Sequence, residues 1–73
     1  MTRSIRTREY AYFVERLQKA RLEAGLSQTQ VAKKIKRPQS HISNVESGQQ
    51  RVDVVELQIF AKIYKKDIGY FIK

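Results

Sequence analysis

The sequence predicts a compact all-α domain built from five helices. Apolar residues recur at spacings of three and four along most of the chain, which is the repeat of helices packed on a common core. Ser27 is followed three positions later by Gln30, which is a helix-capping pattern, and Asp53 with Glu56 repeats it. The length of 73 residues allows one helical core but is too short for a catalytic cleft between two lobes.

Composition indicates a globular chain without a disulfide or thiolate framework. Hydrophobic residues make up 41% and charged residues 30%, which does not fit a disordered chain. There is no cysteine, as is common in a reducing interior. No apolar run approaches the roughly 20 residues that span a bilayer, and the N-terminus lacks the apolar core of a signal peptide. We therefore expect a cytoplasmic protein with no membrane segment, cofactor or metal ion.

The charge balance favours a polyanionic partner. Fifteen Lys and Arg oppose seven Asp and Glu, which gives a net charge of +8. Nucleic acid is the leading interpretation. Two alternatives stay open, namely a basic domain that is merely soluble and a cationic helix that lies on an anionic membrane.

Residues 1–8 predict a flexible basic arm ahead of a single domain at residues 9–73. The arm contains three arginines and little apolar surface. Basic arms of some DNA-binding domains contact the backbone or the minor groove. The simpler interpretation is a frayed chain end, so the role of the arm stays open.

The first helix is predicted over residues 9–24, where there is no Gly or Pro. Gly25 then supplies a signal for the helix end. Tyr10 and Tyr12 lie off the apolar seam, and we interpret them as packing residues and not as a platform for stacking bases. The predicted core stripe consists of Phe13, Leu17, Ala20 and Ala24.

A second helix is predicted to begin after Ser27, whose hydroxyl and the side chain of Gln30 can satisfy backbone N–H groups reciprocally. Leu26 and Val31 fall at the two positions of a hydrophobic staple across this cap. Pro38 either stops the helix or opens the next one. Four cations lie close together at this exit, namely Lys33, Lys34, Lys36 and Arg37.

The third helix, predicted over residues 39–47, has an apolar and a polar side. Ile42 and Val45 are three positions apart and face the core. Amide and hydroxyl groups both donate and accept hydrogen bonds, as base edges in the major groove require, and a bidentate Asn or Gln selects adenine. Gly48 supplies a left-handed residue at the helix end. The polar side consists of Gln39, Ser40, Ser43 and Asn44. Two short helices, of which the second carries such a polar side, are the pattern of a helix-turn-helix that reads DNA.

A fourth helix follows a linker at residues 49–52, in which Arg51 is a candidate phosphate contact. Asp53 and Glu56 predict a reciprocal cap at its start. This helix is apolar on two faces, and both must be buried. The inner stripe is predicted to contain Val54, Leu57, Phe60, Ala61 and Tyr64, and the outer stripe Val55, Ile59 and Ile63. Three covers are considered for the outer stripe: another subunit, the aromatic start of the first helix, or a short terminal helix with Tyr70, Phe71 and Ile72.

Three segments of the chain carry a family resemblance: GLSQTQVAKKI, RPQSHISNVESG and VDVVELQIFAKIY. Together they resemble the small phage repressor and Cro-like helix-turn-helix domains, often called the XRE family, over residues 13–72. The resemblance implies a compact five-helix lambda-repressor-like fold. It also implies binding of double-stranded DNA.

Individual roles follow from the resemblance. Gln28 is expected to contact a phosphate and to brace Gln39, the first residue of the reading helix. Arg21 and Glu46 match positions that often form a pair beneath the motif. The alternative interpretation is that they are two unrelated surface charges. The implied base contacts are Gln39, Ser40, Ser43 and Asn44. The implied or inferred backbone contacts are Ser27, Gln28, Lys33, Lys36, Arg37, His41 and Arg51.

The chain departs from the family pattern at three positions. Lys36 stands where relatives commonly carry Gly, so either a non-Gly residue adopts positive φ or the turn differs. Lys65 stands where a Gly often follows the fourth helix. Pro38 replaces the usual Ser or Thr cap of the reading helix and presets φ for a first helical turn.

We expect a sequence-specific transcriptional regulator, namely a homodimeric repressor that inserts helix 39–47 into the major groove. A dimer is expected because one short helix meets few base pairs, and two-fold half-sites lie about 34 Å apart. With one histidine and no phosphate-binding Gly loop, the chain is not expected to be an enzyme. The alternative is an antitoxin or another protein-interaction module of the same fold. The candidate dimer contacts are Ile59, Ile63, Tyr70 and Phe71.

Overall fold

The computed structural model describes residues 7–72. Over this range the chain forms four α-helices and a terminal 3-10 turn at Ile68–Tyr70. The helices are α1 at Arg8–Glu23, α2 at Gln28–Ile35, α3 at Gln39–Glu46 and α4 at Val54–Tyr64. The all-α class is thus confirmed, but the fifth helix was wrong. Its place is taken by the single 3-10 turn, because Asp67 makes no side-chain cap there and Gly69 disfavours a helix.

α1 begins one residue earlier than predicted. Thr7 is its N-cap, and the Thr7 hydroxyl accepts a hydrogen bond of 3.1 Å from the N–H of Tyr10. The structured domain therefore includes the last two residues that were assigned to the basic arm. The remainder of that predicted arm, residues 1–6, lies outside the described residues.

The predicted cap of α2 is present in full. The N–H of Gln30 donates to the Ser27 hydroxyl at 3.1 Å, and the N–H of Ser27 donates to the Gln30 amide oxygen at 2.8 Å. α4 shows only half of this arrangement, since Asp53 accepts from the N–H of Glu56 at 2.8 Å. The Glu56 carboxylate does not return to the cap but contacts His41 on α3.

All four helices end with the same pair of backbone hydrogen bonds around a left-handed residue. After α1 and α3 this residue is glycine, at Gly25 and Gly48, as predicted. After α2 and α4 it is lysine, with φ of 61° at Lys36 and 58° at Lys65. Of the two alternatives for the α2–α3 turn, a non-Gly residue at positive φ is therefore correct. Pro38 is the N-cap of α3, with extended ψ, and not its first helical residue.

One hydrophobic core joins all four helices and the terminal turn. α3 packs on α1 and α2, and α4 packs on the same two helices. Two predicted core residues were wrong: Ala24 lies exposed at the end of α1, and Val54 is 66% exposed in the first turn of α4, beyond the edge of the core. The core residues are Val14, Leu17, Ala20, Val31, Ala32, Ile42, Val45, Leu57, Phe60, Ala61, Tyr64 and Phe71.

The chain end is fixed to α1 by polar and aromatic contacts. The Nε of Arg16 donates to the carbonyl of Tyr70 at 3.0 Å, and its guanidinium lies 3.9 Å from the centroid of the Tyr70 ring. Lys66 donates to Glu23 at 2.9 Å. Phe71 packs edge-to-face on Phe13 with centroids 6.5 Å apart. The terminal segment therefore covers α1.

The outer stripe of α4 remains at the surface of the described domain. Val55 is 63% and Ile59 43% exposed, whereas Phe71, which was predicted as a possible cover, is 0% exposed in the core. Cover of this stripe by Phe71 was therefore wrong. The stripe is left as an apolar surface on a helix whose other face is already buried.

We expect Lys65→Gly to raise the free energy of unfolding by about 0.5 to 1 kcal/mol, because glycine adopts positive φ without the steric strain of lysine. Lys62→Gly is the control, since it places glycine inside α4 and is expected to lower the free energy by about 1 kcal/mol. Urea denaturation followed by circular dichroism measures both. A loss of similar size at the two positions would contradict the strain at Lys65.

Candidate nucleic-acid interface

α3 places its polar and apolar residues on opposite sides, as the sequence predicts. Ile42 and Val45 are buried, which fixes the helix against α1 and α2. The polar side faces solvent, so its amide and hydroxyl groups are accessible to a partner. The exposed residues on this reading edge are Gln39, Ser40, Ser43 and Asn44.

Cations surround the turn that leads into α3. This turn is closed by the backbone N–H of Arg37, which donates to the carbonyl of Ala32 at 3.0 Å. The left-handed conformation of Lys36 reverses the chain here, and its side chain is exposed. The exposed cations at the end of α2 and in the turn are Lys33, Lys34, Lys36 and Arg37.

A buried ion pair joins α1 to the last residue of α3. The Nε of Arg21 donates to Glu46 Oε2 at 2.7 Å and its Nη2 donates to Oε1 at 3.0 Å, while the side chains are only 9% and 6% exposed. The Nη1 of Arg21 donates to the carbonyl of Leu26 at 2.9 Å. The bonds to Glu46 raise the pKa of Arg21. Burial, with Glu46 nearby, raises the pKa of Tyr64.

The same carboxylate begins a relay of side-chain hydrogen bonds that reaches the reading edge. Gln28 Nε2 donates to Glu46 Oε1 at 3.0 Å, and Gln39 Nε2 donates to Gln28 Oε1 at 2.9 Å. Gln28 thus contacts Gln39, the residue that it was expected to brace. We call Glu46, Gln28 and Gln39 the amide relay. It holds the Gln39 amide in one direction and leaves its carbonyl oxygen and second N–H for a ligand.

His41 occupies a different place from the one expected. Its side chain is mostly buried, and its Nε2 lies 2.9 Å from Oε2 of Glu56 at the start of α4. This contact directs the imidazole toward the domain and away from the reading edge. His41 therefore links α3 to α4 within the domain, and a contact of His41 with the DNA backbone stays a prediction.

Arg51 lies exposed in the linker after α3, next to the start of α1. Its guanidinium is 4.5 Å from the centroid of the Tyr10 ring, which is a cation–π distance. Tyr10 also packs on Phe13 with centroids 5.3 Å apart, and burial raises its pKa. These contacts support the interpretation of Tyr10 as a packing residue. A phosphate contact by Arg51 stays a prediction.

Comparison with protein families agrees with this arrangement of helices. A family model described as helix-turn-helix, HTH_3, matches residues 17–71, which is more than half of the chain. The chain belongs to the XRE helix-turn-helix family. Domains of this family bind DNA and are typically not enzymes. Among curated proteins no match was found. The finer likeness to phage repressors and Cro proteins stays a prediction.

In this helix-turn-helix chain the four candidate dimer contacts fall into two groups. Phe71 was wrong, because it is fully buried in the core of its own subunit. Tyr70 is half-buried, and its ring is contacted by Arg16 and Lys66. Ile59 and Ile63 belong to the outer stripe of α4. Of the four, Ile59 is exposed, whereas Ile63 is partly buried and packs against the core beside it.

The described part of the chain contains neither a cluster of metal-binding side chains nor a helix that could span a membrane. Among residues 7–72 there is no group of three or more His, Cys, Asp or Glu side chains placed to hold a metal ion. No helix in the same range is both long enough and apolar enough to cross a membrane.

Two contacts of the helix-turn-helix motif were missed from the sequence. The link from His41 to Glu56 joins residues 15 positions apart on different helices, and no local pattern indicates it. The bond from Gln28 to Glu46 was also missed, although both residues had been assigned roles. The resemblance paired Arg21 with Glu46 and Gln28 with Gln39, but no pattern in the sequence joined the two pairs.

We expect Glu46→Gln to lower the free energy of unfolding by about 3 kcal/mol, because it leaves the buried Arg21 guanidinium without a counter-charge. The double variant Arg21→Met, Glu46→Met removes both charges and is expected to lose less than the single variant. Urea denaturation of both chains tests this. A double variant less stable than Glu46→Gln would show that the pair stabilises the fold in its own right.

Proposed function

We propose that the protein is a sequence-specific transcriptional regulator that inserts α3 into the major groove of double-stranded DNA. The amide relay is the observation that carries the proposal. It connects the buried pair of Arg21 and Glu46 to Gln39, so that an exposed amide at the start of α3 is held in place before any partner is bound. Holding a polar group in its bound direction reduces the entropy lost on binding.

Base discrimination is assigned to the reading edge of α3. The free carbonyl and N–H of Gln39 match the paired donor and acceptor of adenine in the major groove, and Asn44 offers the same chemistry. Ser40 and Ser43 add hydroxyl groups that donate or accept. Each good bidentate contact is worth roughly 1 to 3 kcal/mol of discrimination between bases.

Backbone affinity is assigned to the cations around the turn. Lys33, Lys36 and Arg37 are exposed, and the chain carries a net charge of +8. Cations that neutralise phosphates release counterions, so we expect affinity to fall steeply with salt. Ser27 and Gln28 at the start of α2, together with Arg51 in the linker, complete the proposed backbone contacts.

Two copies are proposed to act together as a repressor. α3 has eight residues and reaches only a few base pairs, so a two-fold pair on half-sites about 34 Å apart is needed for a specific site. DNA brings the two copies together, and a pair bound over a promoter blocks access of other proteins. The uncovered outer stripe of α4 favours a second role, the binding of a partner protein, which can coexist with DNA binding.

Selection of bound duplexes from a random pool, at about physiological salt, tests the proposal directly. Non-specific phosphate binding is suppressed under this condition, so enrichment reports base contacts. We expect a two-fold symmetric consensus with half-site centres about ten base pairs apart. Recovery of a pool without any consensus would contradict sequence-specific binding.

Two variants separate the proposed base and backbone contacts. Asn44→Ala is expected to lose about 1 to 3 kcal/mol of discrimination at one base pair, whereas Arg51→Ala is expected to weaken binding about equally on all sequences and to reduce the salt slope by about one. Lys19→Ala removes an exposed cation outside the proposed contacts and serves as the control. Titrations on selected and random duplexes measure each effect. Equal losses from Asn44→Ala on both duplexes would refute its assignment.

A further inference from the structure

The outer stripe of α4 lines a hollow of about 490 Å³ that the proposed DNA contacts do not use. Its apolar floor consists of Val55, Ile59 and Ile63. A second hollow of about 210 Å³ shares Val55 and Ile59 with it and extends to the start of α4. We call the two together the α4 groove. None of the residues on the reading edge of α3 lines either part.

The groove leaves apolar side chains of α4 exposed to solvent. Val55 and Ile59 retain much of their exposure, while Leu57 and Phe60 on the opposite side of the same helix are buried in the core. A helix that is apolar on both sides normally has both covered. A contiguous apolar surface with a polar rim is typical of an interaction site.

The rim of the larger hollow is positively charged. Lys34 on α2 and Lys62 on α4 lie at its border with Gln58, and no carboxylate lines it. A second copy placed here would bring its own lysines to the same border, and like charges in an interface oppose association. The chain as a whole also carries a net charge of +8. Charge complementarity therefore selects an acidic occupant.

The smaller hollow does not reverse this preference. Asp53 and Glu56 border it together with Arg37. The Asp53 carboxylate caps α4 and the Glu56 carboxylate contacts His41, so the smaller hollow carries charges of both signs and does not select an occupant by itself. Lys34 and Lys62 are exposed at the border of the larger hollow.

The length of the groove fits a helix. It follows α4 from Asp53 to Ile63, and ten residues of α-helix rise about 15 Å, which is nearly three turns. Binding of an amphipathic helix in such a groove uses apolar anchors at positions i, i+3 or i+4, and i+7. We propose that the α4 groove binds an acidic amphipathic helix of a partner protein, with its apolar anchors on Val55 and Ile59 and its carboxylates facing Lys34 and Lys62.

A labelled synthetic helix tests this proposal. The probe is a blocked peptide of about sixteen residues with Leu at helical spacing and Glu on the flanking positions, and fluorescence anisotropy measures its binding to the full chain. We expect saturable binding with a Kd below about 100 µM. Absence of saturable binding by the unsubstituted chain would overturn the proposal.

Two neighbouring valines provide a matched pair of variants. Val55→Asp places a charge in the groove and is expected to weaken peptide binding by at least about tenfold. Val54→Asp introduces the same charge one residue away, at a similarly exposed valine that lines neither hollow, and is expected to change binding by less than about twofold. Equal weakening by the two variants would mean that the peptide responds to net charge alone, and would overturn the proposal.

A charge exchange tests the role of the rim. Lys34→Glu combined with Lys62→Glu is expected to abolish binding of the acidic probe and to create binding of a second peptide that carries Lys in place of Glu.

Sedimentation of the unsubstituted chain and of Val55→Asp without DNA tests whether a second copy of the chain occupies the groove. A dimer that dissociates in Val55→Asp would assign the groove to a second copy and overturn the proposal. DNA titrations with Val55→Asp, which changes none of the proposed DNA contacts, distinguish failure of this proposal from failure of DNA binding.

Discussion

The bidentate ion pair between Arg21 and Glu46 is the contact on which the reading edge of α3 depends. It joins α1 to the end of α3, and the additional bond from Arg21 to Leu26 holds the segment between α1 and α2. Because both charges are buried, the loss of either leaves the other uncompensated. The pair thus ties α1, the segment before α2 and the end of α3 together, in addition to the packing of the core.

The buried pair also sets the orientation of polar groups at the surface. The Glu46 carboxylate directs Gln28, and Gln28 directs Gln39, so two amides take their direction from one ionised group. On its other side, α3 is tied to α4 by the contact of His41 with Glu56. With its apolar face in the core, α3 is restrained on every side except the reading edge.

Local signals in the sequence predicted the parts of the fold that depend on neighbouring residues, such as the cap at Ser27 and the left-handed residue at Gly48. Periodicity predicted the direction of each apolar face but not where the core ends, so Val54 was placed inside although it lies outside. Phe71 was assigned to an interface because the sequence does not show which surface a chain end covers. The role of His41 depends on a distant residue, Glu56, and was missed for that reason.

Lys36 is a residue at which the fold and the proposed function have opposite requirements. Its backbone is left-handed, a conformation that glycine adopts freely and lysine only with strain. The lysine also places a positive charge beside the reading helix, where the proposed phosphate contact needs one. Selection for stability alone favours glycine at this position, and selection for DNA affinity favours lysine. A substitution of Lys36 therefore changes the backbone strain and the proposed phosphate contact together, so its effect on DNA affinity has to be compared with its effect on the free energy of unfolding.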